Sequence, residues 1–188
     1  LVSLYKGYQN REIYLFDDVT DATMLYVKWL LHWEREDNEA NIPVDERKGC
    51  TIYINSFGGN LDVCMALCSA IKSVSFTVTT VNCFSACSAA GIILMSGTKG
   101  HRYCMKNSFC LVHQGSSGSS GRSFSMLEAQ QTNYRKLVKM MEGVILECSN
   151  IDAKEYAKIK SKENYYYRSE QITKGFCDAL VDNLKDIK

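Results

Sequence analysis

Two residues of the 188-residue chain combine reactive chemistry with a setting that could use it. Ser88 lies within Cys83-Phe84-Ser85-Ala86-Cys87-Ser88-Ala89-Ala90-Gly91-Ile92-Ile93-Leu94-Met95, after a β-rich run, Ser75 to Asn82, and before residues that read as a short buried helix. A serine where a strand turns into a helix exposes its hydroxyl. The helix N-terminus also aims unpaired N–H groups and the positive end of its dipole at whatever the serine attacks. That suits a nucleophile whose reaction builds an oxyanion. Close backbone packing accounts for a small residue at such a junction equally well. His113 ends an apolar strand and precedes Gln114 and the run Gly115-Ser116-Ser117-Gly118-Ser119-Ser120-Gly121. An imidazole at a strand end beside a loop can serve as a general base. The other two histidines, His32 in the first predicted helix and His101 after a turn glycine, read as structural or solvated. Gly58-Gly59 follow another strand. With no Cβ, the Gly59 N–H can approach a substrate oxygen closely, although a tight turn explains the pair as readily.

The elements that would position these groups alternate. Glu12 to Phe16 reads as a strand, Thr20 or Asp21 as an N-cap, and Ala22 to Glu34 as a helix apolar around most of its circumference. That helix is expected to be mostly buried, or to face both a core and a partner subunit. Glu36 to Gly49 reads as a loop, Cys50 to Asn55 as a strand and Asn60 to Ser73 as a helix. Strand, small-residue turn and helix then recur from Ser75 to Met95, which argues for βαβ crossovers and a mostly parallel sheet. Both Gly58-Gly59 and Ser88 fall at the carboxyl ends of strands, where open α/β sheets place their sites. Arg102 to Met105 and Phe109 to Val112 read as short strands. The Gly/Ser run reads as a flexible loop or edge segment. After it, Ser123 to Cys148 reads as one long helix with a capping-box pattern at Ser125 and Glu128, expected to project and pack against a copy of itself. Shorter helices are expected over Ala153 to Lys160 and Glu170 to Lys174, and a closing strand over Asp178 to Asn183.

Composition narrows the function classes. With 46% hydrophobic and 23% charged residues the chain fits one globular domain with a buried core. A net charge of +1 gives no electrostatic case for nucleic acid or an anionic membrane, and no apolar run approaches the roughly 18 residues a membrane span needs. Leu1 to Lys6 lacks a signal-peptide core, and without an initiating Met the chain reads as trimmed or processed. Nine cysteines, mostly in apolar runs, read as free thiols in a reducing compartment. Cys64-x3-Cys68 and Cys83-x3-Cys87 lack the spacing of a zinc knuckle, so neither a metal nor another cofactor is expected.

Four ordered motifs then carry a family likeness. Ile52-Tyr53-Ile54-Asn55-Ser56-x-Gly58-Gly59, Ala86-x-Ser88-Ala89, Gly97-x-Lys99-Gly100-x-Arg102-Tyr103-Cys104-Met105-x-Asn107-Ser108 and His113-Gln114 resemble, in order and spacing, the proteolytic subunit of the Clp protease. The resemblance runs from about Ile13 to Leu184, and the Gly/Ser loop looks closer to divergent or phage-type members. It implies an α/β fold over residues 1–188: a ClpP/crotonase-like ββα spiral head, about 11–112 and 160–184, with a long projecting handle helix within about 113–150. It also implies a serine endopeptidase acting on peptides and unfolded proteins in a homo-oligomeric double ring, most simply two stacked heptamers, with an AAA+ unfoldase as possible partner. The compartment would be cytoplasm, plastid or organelle stroma, or a host cytoplasm for a phage-encoded chain.

Residue by residue, the resemblance implies Ser88 as nucleophile, His113 as general base, and the N–H groups of Gly59 and Ala89 as oxyanion hole. Substrate would lie extended along Gly58, Asn60 and Leu61 on one side and Gln114, Gly115 and Ser116 on the other. For the third catalytic member, an aspartate in the family, counting back from Gly175 without a gap places Glu163, and with one gap Asn164. Glu163 is favoured because a carboxylate better stabilises an imidazolium. Phe57 stands where the family usually has proline, Cys87 and Ala89 flank the serine in place of the commoner alanine and Met, and the segment that lines the axial entrance is short. Two other classes stay open: a weakly active or non-catalytic subunit of a mixed ring, and an acyl-CoA enzyme of the crotonase group, which needs no serine–histidine pair.

Overall fold

The computed structural model describes residues 2–115 and 123–187, with nothing described of the Val2 side chain. A first helix, α1 (Val2–Asn10), leads into β1 (Glu12–Leu15), α2 (Met24–Glu39), β2 (Cys50–Ser56), α3 (Leu61–Ser73), β3 (Val78–Cys87) and α4 (Ala89–Met95). Then follow β4 (Arg102–Met105), β5 (Phe109–Val112), α5 (Phe124–Cys148), α6 (Ala153–Ile159), β6 (Asn164–Tyr167), α7 (Ser169–Thr173) and β7 (Ala179–Val181). The strands form a single sheet in which β1-β2-β3-β4-β7 are all parallel.

The strand that carries the site is β3. It runs to Cys87, five residues beyond the expected end at Asn82, because its two halves have different neighbours. Thr80 to Asn82 pair with Arg102 to Cys104 of β4, whereas Ser85 to Cys87 pair in parallel with Phe109 to Leu111 of β5. β5 in turn pairs antiparallel with β6, Val112 opposite Asn164. The fork brings the ends of β3 and β5 and the start of β6 to one corner of the sheet.

Alternation along β2 sets the layers. Cys50, Ile52, Ile54 and Ser56 point inward and are buried, while Thr51, Tyr53 and Asn55 face the other way. The inward face packs against Leu67, Ile71, Ile93, Leu94, Met141 and Ile145 from α3, α4 and α5 in the main core. The opposite face carries a smaller cluster around Val81, Tyr103 and Val181, with exposed Tyr14, Phe84, Tyr165, Tyr167 and Leu180 on the sheet strands and next to them.

Several expectations need correction. α2 continues to Glu39, and Glu34 and Asn38 on it take hydrogen bonds from Arg47. Only one face of α2 is buried, through Val27, Leu30, Trp33 and Asp37, and Leu25 and Leu31 are exposed. The loop after it is therefore shorter than expected and includes a 3-10 turn at Val44–Glu46. α5 is capped by Ser123, without a side-chain cap bond, so Ser125 sits inside the first turn and the capping box does not form. Its second half packs on α3 and α4 through Val138, Met141, Val144 and Ile145, while Phe124, Met126 and Met140 are exposed. The closing strand is shorter, at Ala179–Val181, and α1 and β6 had no counterpart in the reading of the sequence.

Arg102 ties the C-terminal segment to this framework. Its guanidinium grips both carboxylate oxygens of Asp178 and donates to the Met95 and Cys148 carbonyls. Burial alone would raise the Asp178 pKa, but hydrogen bonding and charge from Arg102, with the N–H groups of Gly100 and Arg102, hold it below the ordinary carboxylate value. A folded-state pKa below the unfolded value, about 3.9, stabilises the fold above that value. The contribution is lost as pH falls through the folded-state pKa. Asp178→Asn is therefore expected to be less stable at neutral pH and to show a flatter loss of stability below about pH 4. Equal pH slopes for the two proteins in urea titrations would contradict this.

Candidate active site

Ser88 occupies the one-residue joint between β3 and α4, with φ 52° and ψ −123°. A non-glycine residue with positive φ is strained, and the surrounding hydrogen bonds hold it there. The Ser88 N–H donates to the Leu111 carbonyl of β5 at 2.9 Å, and its own carbonyl accepts from Gly91 at 3.0 Å. The turn is thus pinned from the neighbouring strand and from the helix it begins. Ala89 is the first residue of α4, so its N–H has no acceptor one turn back.

Gly58 and Gly59 fit against this joint. Val19 bridges them: its N–H donates to the Gly58 carbonyl and its carbonyl accepts from the Asn60 N–H, both at 2.7 Å. In a parallel bridge the residue between these two bonds turns its own N–H to the other side, so the Gly59 N–H is directed away from Val19. Gly58 has φ +100°, and a Cβ there would lie 2.6 Å from the Cys87 carbonyl oxygen and 2.9 Å from Ser88 Cβ. Only glycine allows this approach. The Ser56 hydroxyl accepts from the Gly58 N–H at 3.1 Å, and Asn60 caps α3 by accepting from Asp62 and Val63. The exposed Phe57 ring takes the place beside this turn.

His113 follows directly on β5. A cleft of about 580 Å³ is lined by Ser88, Ala89 and Gly59, by His113, Gln114 and Gly115, and by Asn60 and Leu61. His113 Nε2 is buried without a hydrogen-bond partner among the described residues, so no bond joins it to Ser88. Gly58 does not line the cleft; it is buried behind Ser88. Ser116 lies outside the described residues, as does the rest of the Gly/Ser run to Gly121.

The two candidates for a third member differ in setting. Glu163 and His113 share a second crevice of about 260 Å³ with Lys160 and Lys162, and the Glu163 carboxylate accepts from the Tyr165 hydroxyl at 3.4 Å. Asn164 lines neither space. Its amide donates to the carbonyls of Val112, Ile159 and Lys162, at 3.2, 2.7 and 2.9 Å, closing the turn before β6. His32 is remote in role, paired with Glu36 on α2 at 3.4 Å.

The neighbouring thiols do not compete as nucleophiles. Burial pushes the Cys87 thiol up to about 11 and the Cys110 thiol higher still, so neither is a thiolate at neutral pH. The reading of the sequence missed the contribution of α5 to the cleft. Gln130, Tyr134, Leu137 and Met141 recur at spacings of four, three and four, one face of a helix, and line the wall opposite the strand ends with Asp62 of α3 nearby. The sequence pointed instead to a helix that projects and packs against a copy of itself.

Comparison with known proteins gives a consistent result. The sequence profile of the Clp protease family matches residues 3–184. The chain is 30% identical over 139 residues to the chloroplastic ATP-dependent Clp protease proteolytic subunit 4 of Arabidopsis thaliana, covering 73% of this chain and 47% of that protein. It is 28% identical over 172 residues to the ATP-dependent Clp protease proteolytic subunit of Ligilactobacillus salivarius, covering 92% and 81%. The chain thus spans about half the length of the chloroplast relative. A ClpP1 asparagine-to-aspartate mutant from Listeria monocytogenes superposes with a TM-score of 0.81 at 19% identity over 99% of each chain, which shows the same fold.

Proposed function

The chain belongs to the Clp protease family, and on that premise we propose that it is a serine-type endopeptidase that hydrolyses peptides and unfolded proteins. The observation that carries this reading is the strained Ser88 joint facing the same cleft as His113, with the N–H groups of Gly59 and Ala89 beside it. Ser88 Oγ attacks the scissile carbonyl carbon while His113 takes its proton. The carbonyl oxygen, now an oxyanion, is met by the N–H groups of Gly59 and Ala89 at a helix N-terminus. Collapse of the tetrahedral intermediate breaks the C–N bond, and the imidazolium gives its proton to the leaving amine. Water, deprotonated by His113, then releases the acyl group from Ser88. Glu163 orients the imidazole and stabilises its charge. The substrate lies extended, its backbone held by Gly59 to Leu61 and by Gln114 and Gly115, the residues of the expected set that line the cleft.

One head, about 11–112 and 160–184, and a handle within about 113–150 form the functional unit. Its free cysteines suit a reducing setting, cytoplasm or plastid stroma. Among the described residues no helix is long and apolar enough to cross a membrane. Hydrolysis of a fluorogenic peptide, blocked by a serine-directed inhibitor, tests the activity. An uninhibited or absent hydrolysis by the assembled protein contradicts it.

A second reading, a non-catalytic subunit of a mixed ring, draws on one observation: no hydrogen bond joins His113 Nε2 to Ser88. Catalytic bonds in unliganded sites are commonly long and tighten on binding, which favours the active reading. The family match leaves an acyl-CoA activity without support.

The apolar surface left open supports ring assembly. Leu25 and Leu31 on α2, Phe124, Met126 and Met140 on α5, and aromatic residues of the outer sheet face are each exposed. A double ring that works with an AAA+ unfoldase covers these surfaces. Light scattering is expected to give a mass near fourteen protomers, in line with the heptameric rings the resemblance implies, and a stable monomer at micromolar concentration would contradict it.

A further inference from the structure

Three polar side chains fill the fork of the sheet at β3. Asn82 is the last residue of β3 paired with β4, and Ser85 is the first paired with β5. Cys83 and Phe84, between them, pair with neither strand. Asn82, Ser108 and Gln171 are each 0% exposed. The Asn82 amide donates to the Phe109 carbonyl at the start of β5, at 2.9 Å, and to Gln171 Oε1, at 2.8 Å. Gln171, on α7, donates to the Ser108 carbonyl at 3.0 Å and to the Ser108 hydroxyl at 3.2 Å. That hydroxyl donates in turn to the carbonyl of Met105, the last residue of β4, at 2.7 Å. Asn82 Oδ1 is left without a partner among the described residues. Turning the amide over would aim Oδ1 at two acceptors, so the orphan is a penalty built into the network.

We propose that Asn82 and Gln171 are positioning residues for His113: they fix the register of β5 on β3, and through it the side of the sheet on which the imidazole stands. The inference rests on the peptidase reading of the site. The strand ladder alone holds that register weakly. β5 meets β3 over three residues, Phe109 to Leu111. β6 pairs with β5 but not with β3, so it does not fix the one against the other. Cys110, Leu111 and Val112 are all buried, so alternation does not distinguish one register from the next. A slip of one residue would turn His113 to the opposite face. It would also carry the Leu111 carbonyl away from the Ser88 N–H that it accepts from at 2.9 Å. The side-chain network supplies what the ladder lacks. Asn82 binds the first carbonyl of β5, and Gln171 binds the one before it. α7, which carries Gln171, leads into β7 and is thereby tied to β4, the other arm of the fork. Fixing register is the best-attested use of buried polar groups that cost stability.

The test compares the unsubstituted protein with Gln171→Met, close in volume and equally suited to a helix. The variant keeps the Asn82 bond to Phe109 and loses the bonds to Asn82 and Ser108. Peptide hydrolysis is expected to fall about tenfold in kcat per assembled ring with KM unchanged, as when a catalytic group is misplaced. Hydrogen–deuterium exchange resolved to single amides reads the register without turnover. The Ser88 amide is expected to exchange about tenfold faster, while the amides of α3 keep their protection. A network that only stabilises the fold would speed exchange at α3 and Ser88 together, and that result overturns the inference. So does an unchanged Ser88 amide, or a normal kcat. Should Gln171→Met fail to assemble, Ser108→Ala removes only the hydroxyl end of the network and is read in the same way, with a smaller change of the same kind expected. If the unsubstituted protein hydrolyses no peptide, the peptidase reading fails, and exchange at Ser88 still decides the role of Asn82 and Gln171.

Discussion

Ser88→Ala and His113→Ala are each expected to lower kcat for peptide hydrolysis by on the order of 10⁴- to 10⁶-fold, and the double variant by no more than either alone. The non-additivity is the informative part. A hydroxyl with its proton in place is a poor nucleophile, and a base with no hydroxyl to deprotonate has nothing to activate. What survives in each variant is the contribution of substrate binding and the oxyanion N–H groups, which neither substitution touches. Ser88→Ala leaves the joint's hydrogen bonds to Leu111 and Gly91 intact, because these use the backbone alone. Additive losses, or a His113→Ala protein with near-normal turnover, would mean that the two residues do not act as one unit.

Glu163→Gln is expected to lower peptide hydrolysis by roughly a hundredfold or more, since a neutral amide cannot stabilise the imidazolium that forms in a partly dry site. The setting of the two residues supports the choice. Glu163 and His113 line one crevice, just past the last pair of the ladder, Val112 with Asn164. Asn164 lies outside that crevice and spends its amide on three backbone carbonyls. Asn164→Ala is therefore expected to lower the unfolding temperature, at about 1 kcal/mol per lost bond, with a smaller effect on turnover per folded ring. Full activity in Glu163→Gln beside a loss in Asn164→Ala, at unchanged stability, would reverse the assignment. Full activity in both would leave a serine–histidine dyad.

The parts of the site that local sequence specifies were legible. Ser88 lies between a β-rich run and a small-residue helix, and that succession alone located the joint, although not its positive φ. The two glycines were legible as a turn into α3, with Asn60 as its cap rather than its first residue, yet the unequal roles of the glycines depend on Val19, some forty residues earlier, which no local pattern reveals. The limits of β3 were misjudged because its last residues become strand through distant partners, Phe109 to Leu111 of β5 and, for Ala86, Ser56 of β2. β6 was missed for a related reason: Tyr165, Tyr166 and Tyr167 do alternate between exposed and buried, but identical side chains conceal the alternation. α1 is only nine residues long and is held by Tyr8 against Trp29 and Trp33 of α2, a contact that no local pattern reveals. The role of α5 in the cleft was missed because the period of a helix face says that it is covered without saying by what. Gln130 was invisible for the same reason, since a polar residue on a long helix ordinarily faces water.

The most direct measurement is covalent labelling of the assembled protein with a fluorophosphonate, followed by peptide mapping in a mass spectrometer. The account predicts one adduct per chain, on Ser88, formed faster than on free serine and absent from both Ser88→Ala and His113→Ala. Absence of label on the unsubstituted ring, or a label on another residue that persists in Ser88→Ala, would contradict it.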